Sequence, residues 1–202
     1  MFMVNKKQLE KRMMTIKKIV SLTILTLIAL LSACSNPPTF EEFFDDKMEE
    51  LSKDRDNQDD YSYSLVHKEE SVVQSNDAIA VFTEHNPRGE QIFIAYFTQE
   101  DGEWEWRHTK GAEWDTPVKW SAMHQEPYIY SGAISDSSIK EVFAGRKKAN
   151  IIEVEGDKRF WYAVSDEKDV EVKMVMEDGT QEVVEELDDE MLKESTDRSN
   201  KR

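Results

Sequence analysis

Between residues 61 and 184 the chain is a succession of strand-length apolar runs, each closed by a turn signal, and this punctuation confines the fold to antiparallel β architectures. Residues 78–83 run into Asn86-Pro87-Arg88-Gly89, and residues 92–97 run into Glu100-Asp101-Gly102 before Glu103-Trp104-Glu105-Trp106-Arg107 begins. Asp-Gly and Pro/Gly pairs supply the backbone conformations that tight hairpins need, so the segment reads as a meander. The run at 92–97 is apolar on both faces, which predicts a central strand covered on both sides. Trp104 and Trp106 alternate with Glu103, Glu105 and Arg107, which predicts one core face and one wet face. Upstream, the strand signals begin at Tyr61, and Val72-Val73 reads as a strand run ahead of a turn at Asn76-Asp77.

Residues 111–127 lose the alternation and contain Pro117 and Pro127, so they are expected to form a loop or crossover. A second strand set follows at 128–133, 139–143, 149–154, 159–164, 170–176 and 181–184, with hairpin turns at Glu155-Gly156-Asp157 and Asp178-Gly179. The expected fold class is therefore mostly β: an antiparallel meander or sandwich-like domain, either as one body or as two small β halves. The corresponding division is 1–33 signal segment, 34–60 tether and short helix, 61–125 first β half, 126–186 second β half and 187–202 polar tail. Within 34–60, Thr39 stands as a helix cap with Glu41 and Glu42 in the first turn, and Phe40, Phe43, Phe44, Met48 and Leu51 form an apolar stripe that should dock on the domain.

Residues 15–33 have the layout of an export signal: Lys17-Lys18, an uncharged apolar stretch at 19–31, then small residues. Thirteen apolar-rich residues are short against the ~20 that span a bilayer, and Pro37-Pro38 follow closely, which disfavours an uncleaved anchor. Leu31-Ser32-Ala33-Cys34 resembles the lipobox of bacterial lipoproteins. The resemblance implies lipidation of the Cys34 sulfur, cleavage after Ala33 and a diacylglyceryl anchor in the membrane; two acyl chains give the stable attachment that a single chain lacks. Met13-Met14 precede Thr15-Ile16-Lys17-Lys18, where such a signal ordinarily starts, while Glu10 is foreign to a basic leader. Translation from Met13 or Met14 and a long leader from Met1 both fit.

Charge narrows the partners. The chain has 26 Lys and Arg against 42 Asp and Glu; six of those bases and one of those acids precede Cys34, leaving 20 against 41 beyond it. A domain at about minus 21 by that count repels nucleic acid and anionic headgroups, so no nucleic-acid partner is expected. Cys34 is the single cysteine, so no disulfide within the chain can form and the hydrophobic core must stabilise the domain alone.

No catalytic, metal or cofactor motif emerges. His67, His85, His108 and His124 lack the short spacing of ligand pairs; the acidic stretch from Asp54 has Asp59 and Leu65 where a calcium loop needs Gly and Glu; Gly-x-Ser-x-Gly and phosphate-cradling glycine loops are absent. The aromatic set Trp104, Trp106, Trp114, Trp120, Trp161, Tyr128, Tyr130 and Tyr162 reads chiefly as core, with Trp114 and Trp120, in the irregular segment, as the candidate binding-surface aromatics.

The lipobox, the polar tether Ser35-Asn36-Pro37-Pro38, Glu103-Trp104-Glu105-Trp106, and the half from Gly132-Ala133-Ile134-Ser135-Asp136 to Phe160-Trp161 together resemble small lipoproteins of Bacillus-type Firmicutes. The likeness covers nearly the whole chain and implies the extracytoplasmic face of a cell membrane; it carries no activity. The expected function is a non-enzymatic binding or interaction module, its partner a wall component or envelope protein. The alternative is a small cell-envelope hydrolase, which requires close carboxylates or a Ser–His contact in a cleft.

Overall fold

The computed structural model describes residues 37–53, 61–87, 89–112, 114 and 120–186. Cys34, the signal segment, the linker at 54–60 and the tail at 187–202 lie outside these residues. The described residues from Thr39 onward form one compact unit of antiparallel sheets with one helix.

Helix α1 (Phe40–Lys53) begins where Thr39 and Glu42 cap each other: the Thr39 N–H donates to Glu42 Oε2 at 2.9 Å, and the Glu42 N–H donates to Thr39 Oγ1 at 3.3 Å. Phe40, Phe44 and Met48 are buried, Phe43 is half-buried and Leu51 is exposed, so the stripe docks by its first three turns. A 14-residue helix is marginal alone, which makes this apolar face the source of its stability.

Strands β1 (Ser62–Glu70), β2 (Asp77–Asn86), β3 (Gly89–Glu100) and β4 (Glu103–Ala112) form a first sheet in chain order, a pure meander. The β3–β4 hairpin closes through Asp101 and Gly102, both in the left-handed region (φ 52° and 85°), as a two-residue turn between the paired Glu100 and Glu103 requires. A second sheet has the order β5 (Ser121–Met123), β6 (Tyr128–Ile134), β10 (Arg159–Ser165), β9 (Asn150–Glu153). A third has the order β12 (Gln181–Val184), β11 (Val172–Met176), β7 (Ile139–Ala144), β8 (Lys147–Lys148).

Alternation along the central strands stacks these elements into four layers. Ala78, Ala80, Phe82, Ala95 and Phe97 face the helix, while Ile79, Val81, Ile92, Ile94 and Tyr96 face the second sheet. Beneath them, Ile129, Ala133, Phe160 and Tyr162 pack upward against the first sheet, and Tyr130, Ile134, Trp161 and Ala163 pack downward against Val142, Val172 and Met174 of the third. β2, β3, β6 and β10 are thus sheathed on both sides, and their near-continuous apolar runs follow from that.

Three local expectations are corrected. Residues 111–127 are not a loop throughout: β4 extends to Ala112, and Ser121–Met123 pairs with β6 in the second sheet. Val72-Val73 lies in the bend between β1 and β2, held there by bonds to a side chain. Trp120 is 7% exposed, in the core between the second and third sheets, where its indole N–H donates to the Val184 carbonyl at 2.7 Å. It cannot serve as a surface aromatic.

Candidate functional site

Where the first and second sheets stop covering one another, a polar cleft of about 750 Å³ opens. That volume lies within the ~300–1,000 Å³ range of small-ligand sites. Its walls come from five separate stretches: the β1–β2 bend, β3 at Tyr96 and Thr98, β4 around Arg107, the β5–β6 turn with Tyr128, and the end of β10 with Ser165 and Asp166.

The bend is moulded around one carboxylate. Asp77, 1% exposed, accepts from the backbone N–H groups of Val72 (2.7 Å), Val73 (3.1 Å) and Gln74 (2.9 Å), and from the Tyr96 hydroxyl (2.9 Å). Its own carbonyl accepts from the N–H of Ser71, whose φ of 59° turns the chain back. A buried charge is tolerated only when hydrogen-bonded on this scale. Burial, and then the bond to Asp77, pushes the Tyr96 phenol far above its ordinary range, so Tyr96 is a fixed donor at neutral pH and not a base.

On β4 the register slips between Tyr96 and Phe97: Tyr96 faces His108 and Phe97 faces Trp106, leaving Arg107 as the extra residue. A bulge re-aims a side chain in this way. Arg107 Nε donates to Thr98 Oγ1 at 2.8 Å, and its terminal nitrogens pair with Glu105 (2.8 Å) and Glu100 (3.2 Å). Across the cleft Asp166 pairs with Lys147 at 2.8 Å, and Ser165 Oγ accepts from the Glu167 N–H at 3.0 Å. Among the described residues, Glu126 is the cleft carboxylate without an ion-pair partner.

Away from the cleft, two polar contacts fasten the first sheet to the second. Tyr162 of β10 donates to Glu69 of β1, with His67 Nε2 3.5 Å from the same hydroxyl; burial and the Glu69 bond raise the Tyr162 phenol strongly. Glu90 of β3 takes Lys158 at 2.7 Å and the Trp114 indole N–H at 2.9 Å, and Lys158 Nζ stands 5.1 Å from the Trp114 ring centroid. Lys158 holds the Glu90 carboxyl below its usual range. Trp114 is therefore half-buried and capped by a cation, in a different core from Trp120 and outside the cleft lining.

Of the histidines, His108 lines the cleft, His67 serves the Tyr162 contact, His85 lies near Glu90, and His124 pairs with Glu186 at 2.9 Å. Among the described residues no three His, Cys, Asp or Glu side chains converge as metal ligands, and no helix is long and apolar enough to cross a membrane. Of the aromatics weighed from sequence, Trp161, Tyr130 and Tyr162 are core, while Tyr128 and Trp106 border the cleft. Sequence reasoning passed over Tyr96 in the cleft lining and the buried Asp77 behind it; Asn76-Asp77 carries only a turn signal, and the partners of Asp77 include a residue 19 positions away. No family model, curated protein or solved structure matches the chain.

Proposed function

We propose that this chain is a membrane-anchored extracytoplasmic lipoprotein, held by a diacylglyceryl group on Cys34, whose β domain is a binding module with the cleft between the first and second sheets as its ligand site. The observation that carries the reading is the build of the cleft. Its walls belong to five stretches of chain, yet the bend is tied to β3 through Asp77, and Arg107 is tied across β3 and β4 through Thr98 and Glu100. Groups fastened in this way lose little further freedom when a ligand docks, which favours affinity. Tyr96, Arg107 and Ser165 are all engaged in bonds that shape the walls, a pattern suited to recognition. The lipobox and the export-signal layout supply the anchoring half of the reading.

Photo-crosslinking in the native membrane tests the binding half. A benzophenone amino acid at Gln125, on the rim of the cleft, should trap a discrete partner or envelope component, and the same group at exposed Glu50 of α1 should not. Equal trapping from both positions, or trapping from Glu50 alone, would refute the cleft as the binding site.

A further inference from the structure

We infer that the ligand of this cleft carries an ammonium group on an aliphatic stem, the chemistry shared by a lysine side chain and a free alkyl polyamine; the inference rests on the cleft being the binding site. The hydrogen-bonding groups left over in the lining argue it first. Its donors are turned onto neighbouring side chains: the Tyr96 hydroxyl onto Asp77, and the Arg107 guanidinium onto Thr98, Glu105 and Glu100. Among the described residues, the side chains of exposed Glu126 and half-buried His108 line the same space without an ion pair or hydrogen bond. A carboxylate is an acceptor alone, and a neutral imidazole keeps one acceptor nitrogen. The Gln74 and Gln125 amides, also in the lining, serve either way, so the group that is missing is a donor.

Charge points the same way. With the partners that touch the lining included, the carboxylates of Glu100, Glu105, Glu126 and Asp166 face the cations of Arg107 and Lys147; one guanidinium is shared by two carboxylates and Glu126 is left unmatched. This excess belongs to a strongly acidic domain, and a concave site walled by protein focuses such a field, drawing in cations and turning away anions. An ammonium on Glu126 makes a charge-assisted hydrogen bond that no described group of the protein supplies. Its stem has a place as well. The bend pinned by Asp77 holds Val73 49% exposed on the lining, and half-buried Pro127 and Val164 border the same space. A cation on an aliphatic stem covers apolar surface of this kind while its head meets a carboxylate. Among the described residues no three His, Cys, Asp or Glu side chains converge, so the lining matches an extended organic cation better than a compact metal ion.

Saturation-transfer NMR with the full chain in neutral detergent micelles at low salt tests this. The probes are a capped Gly-Lys-Gly peptide and cadaverine, with capped peptides carrying norleucine or glutamate in place of the lysine as controls. The lysine peptide or cadaverine should receive saturation, and neither control should. Transfer to the peptide marks a peptide source and transfer to cadaverine alone a free amine; either supports the inference. Glu126→Gln keeps the shape of an exposed side chain and should weaken that binding about tenfold, while added salt should weaken binding to the wild type. Glu50→Gln on α1 should leave it unchanged. Norleucine bound as well as lysine, or amine binding indifferent to Glu126→Gln, would overturn the inference. Crosslinking from Gln125 with no transfer to either amine would replace the ligand class and leave the binding-module reading intact. Absence of transfer to every probe, together with absence of crosslinking from Gln125, would remove both.

Discussion

Replacing Phe44 by Ala should cost the domain about 3–5 kcal/mol, the usual range for a buried phenylalanine whose neighbours relax only in part. Phe44 has no exposed surface and meets five aromatic rings: Phe40, Tyr63, Phe82, Phe97 and Trp106, with centroids from 5.4 to 6.4 Å. It is the middle of the three residues by which α1 grips the first sheet, each worth about 1.5–3 kcal/mol of burial. Because the helix cannot persist undocked, its loosening should also expose Trp104 and Trp106, the indoles beneath it. Urea denaturation followed by tryptophan emission reads both effects: a lower midpoint and a native-state spectrum shifted to the red. Leu51→Ala, at a side chain 37% exposed, serves as the control and should change stability by less than about 1 kcal/mol. A loss below about 1 kcal/mol for Phe44→Ala, with an unshifted spectrum, would show that the helix does not hold that face.

Two further substitutions probe the polar framework. Asp77→Ala leaves three backbone N–H groups and the Tyr96 hydroxyl without their acceptor, and should destabilise by about 3 kcal/mol or more, with hydrogen exchange at Val72, Val73 and Gln74 accelerated beyond the global change; uniform acceleration across the first sheet would contradict the local role. Lys158→Met tests linkage: Glu90 has a depressed carboxyl pKa in the fold, so the pair stabilises above the ordinary value of 4.5 and its contribution fades as pH falls through the folded pKa. The pair is about one-third exposed, so the wild-type advantage at pH 7 should be about 1 kcal/mol or less, shrinking as the pH falls through the folded carboxyl pKa towards the remainder that the Lys158–Trp114 contact provides; a gap that stays constant down to the acid limit of folding would refute the assignment.

The strands were legible in the sequence because alternation and turn chemistry are local. Residues 92–97 read as a strand covered on both sides, and β3 is one, lying between the helix layer and the second sheet. The cap at Thr39 was equally local, while the return bond from Thr39 N–H to Glu42 was not read from the sequence, which placed Glu42 only near the helix dipole. What escaped depends on distant partners. Ser121–Met123 is three residues long, too short for a periodic signal, and is a strand because β6 lies beside it. Trp120 is buried by Val184, 64 positions away, so a position in irregular sequence misrepresented its surroundings. The cleft combines stretches around residues 74, 97, 107, 127 and 165, and such a convergence has no signature along the chain.

The membrane anchor on Cys34 is the claim on which cellular placement of the whole domain rests, and mass spectrometry of the membrane fraction, comparing wild type with Cys34→Ala, tests it most directly. The account predicts a diacylated peptide beginning at Cys34 in the wild type, and loss of both the modification and membrane retention in the variant. An unmodified Cys34 in a chain that still carries residues 15–33 would contradict it.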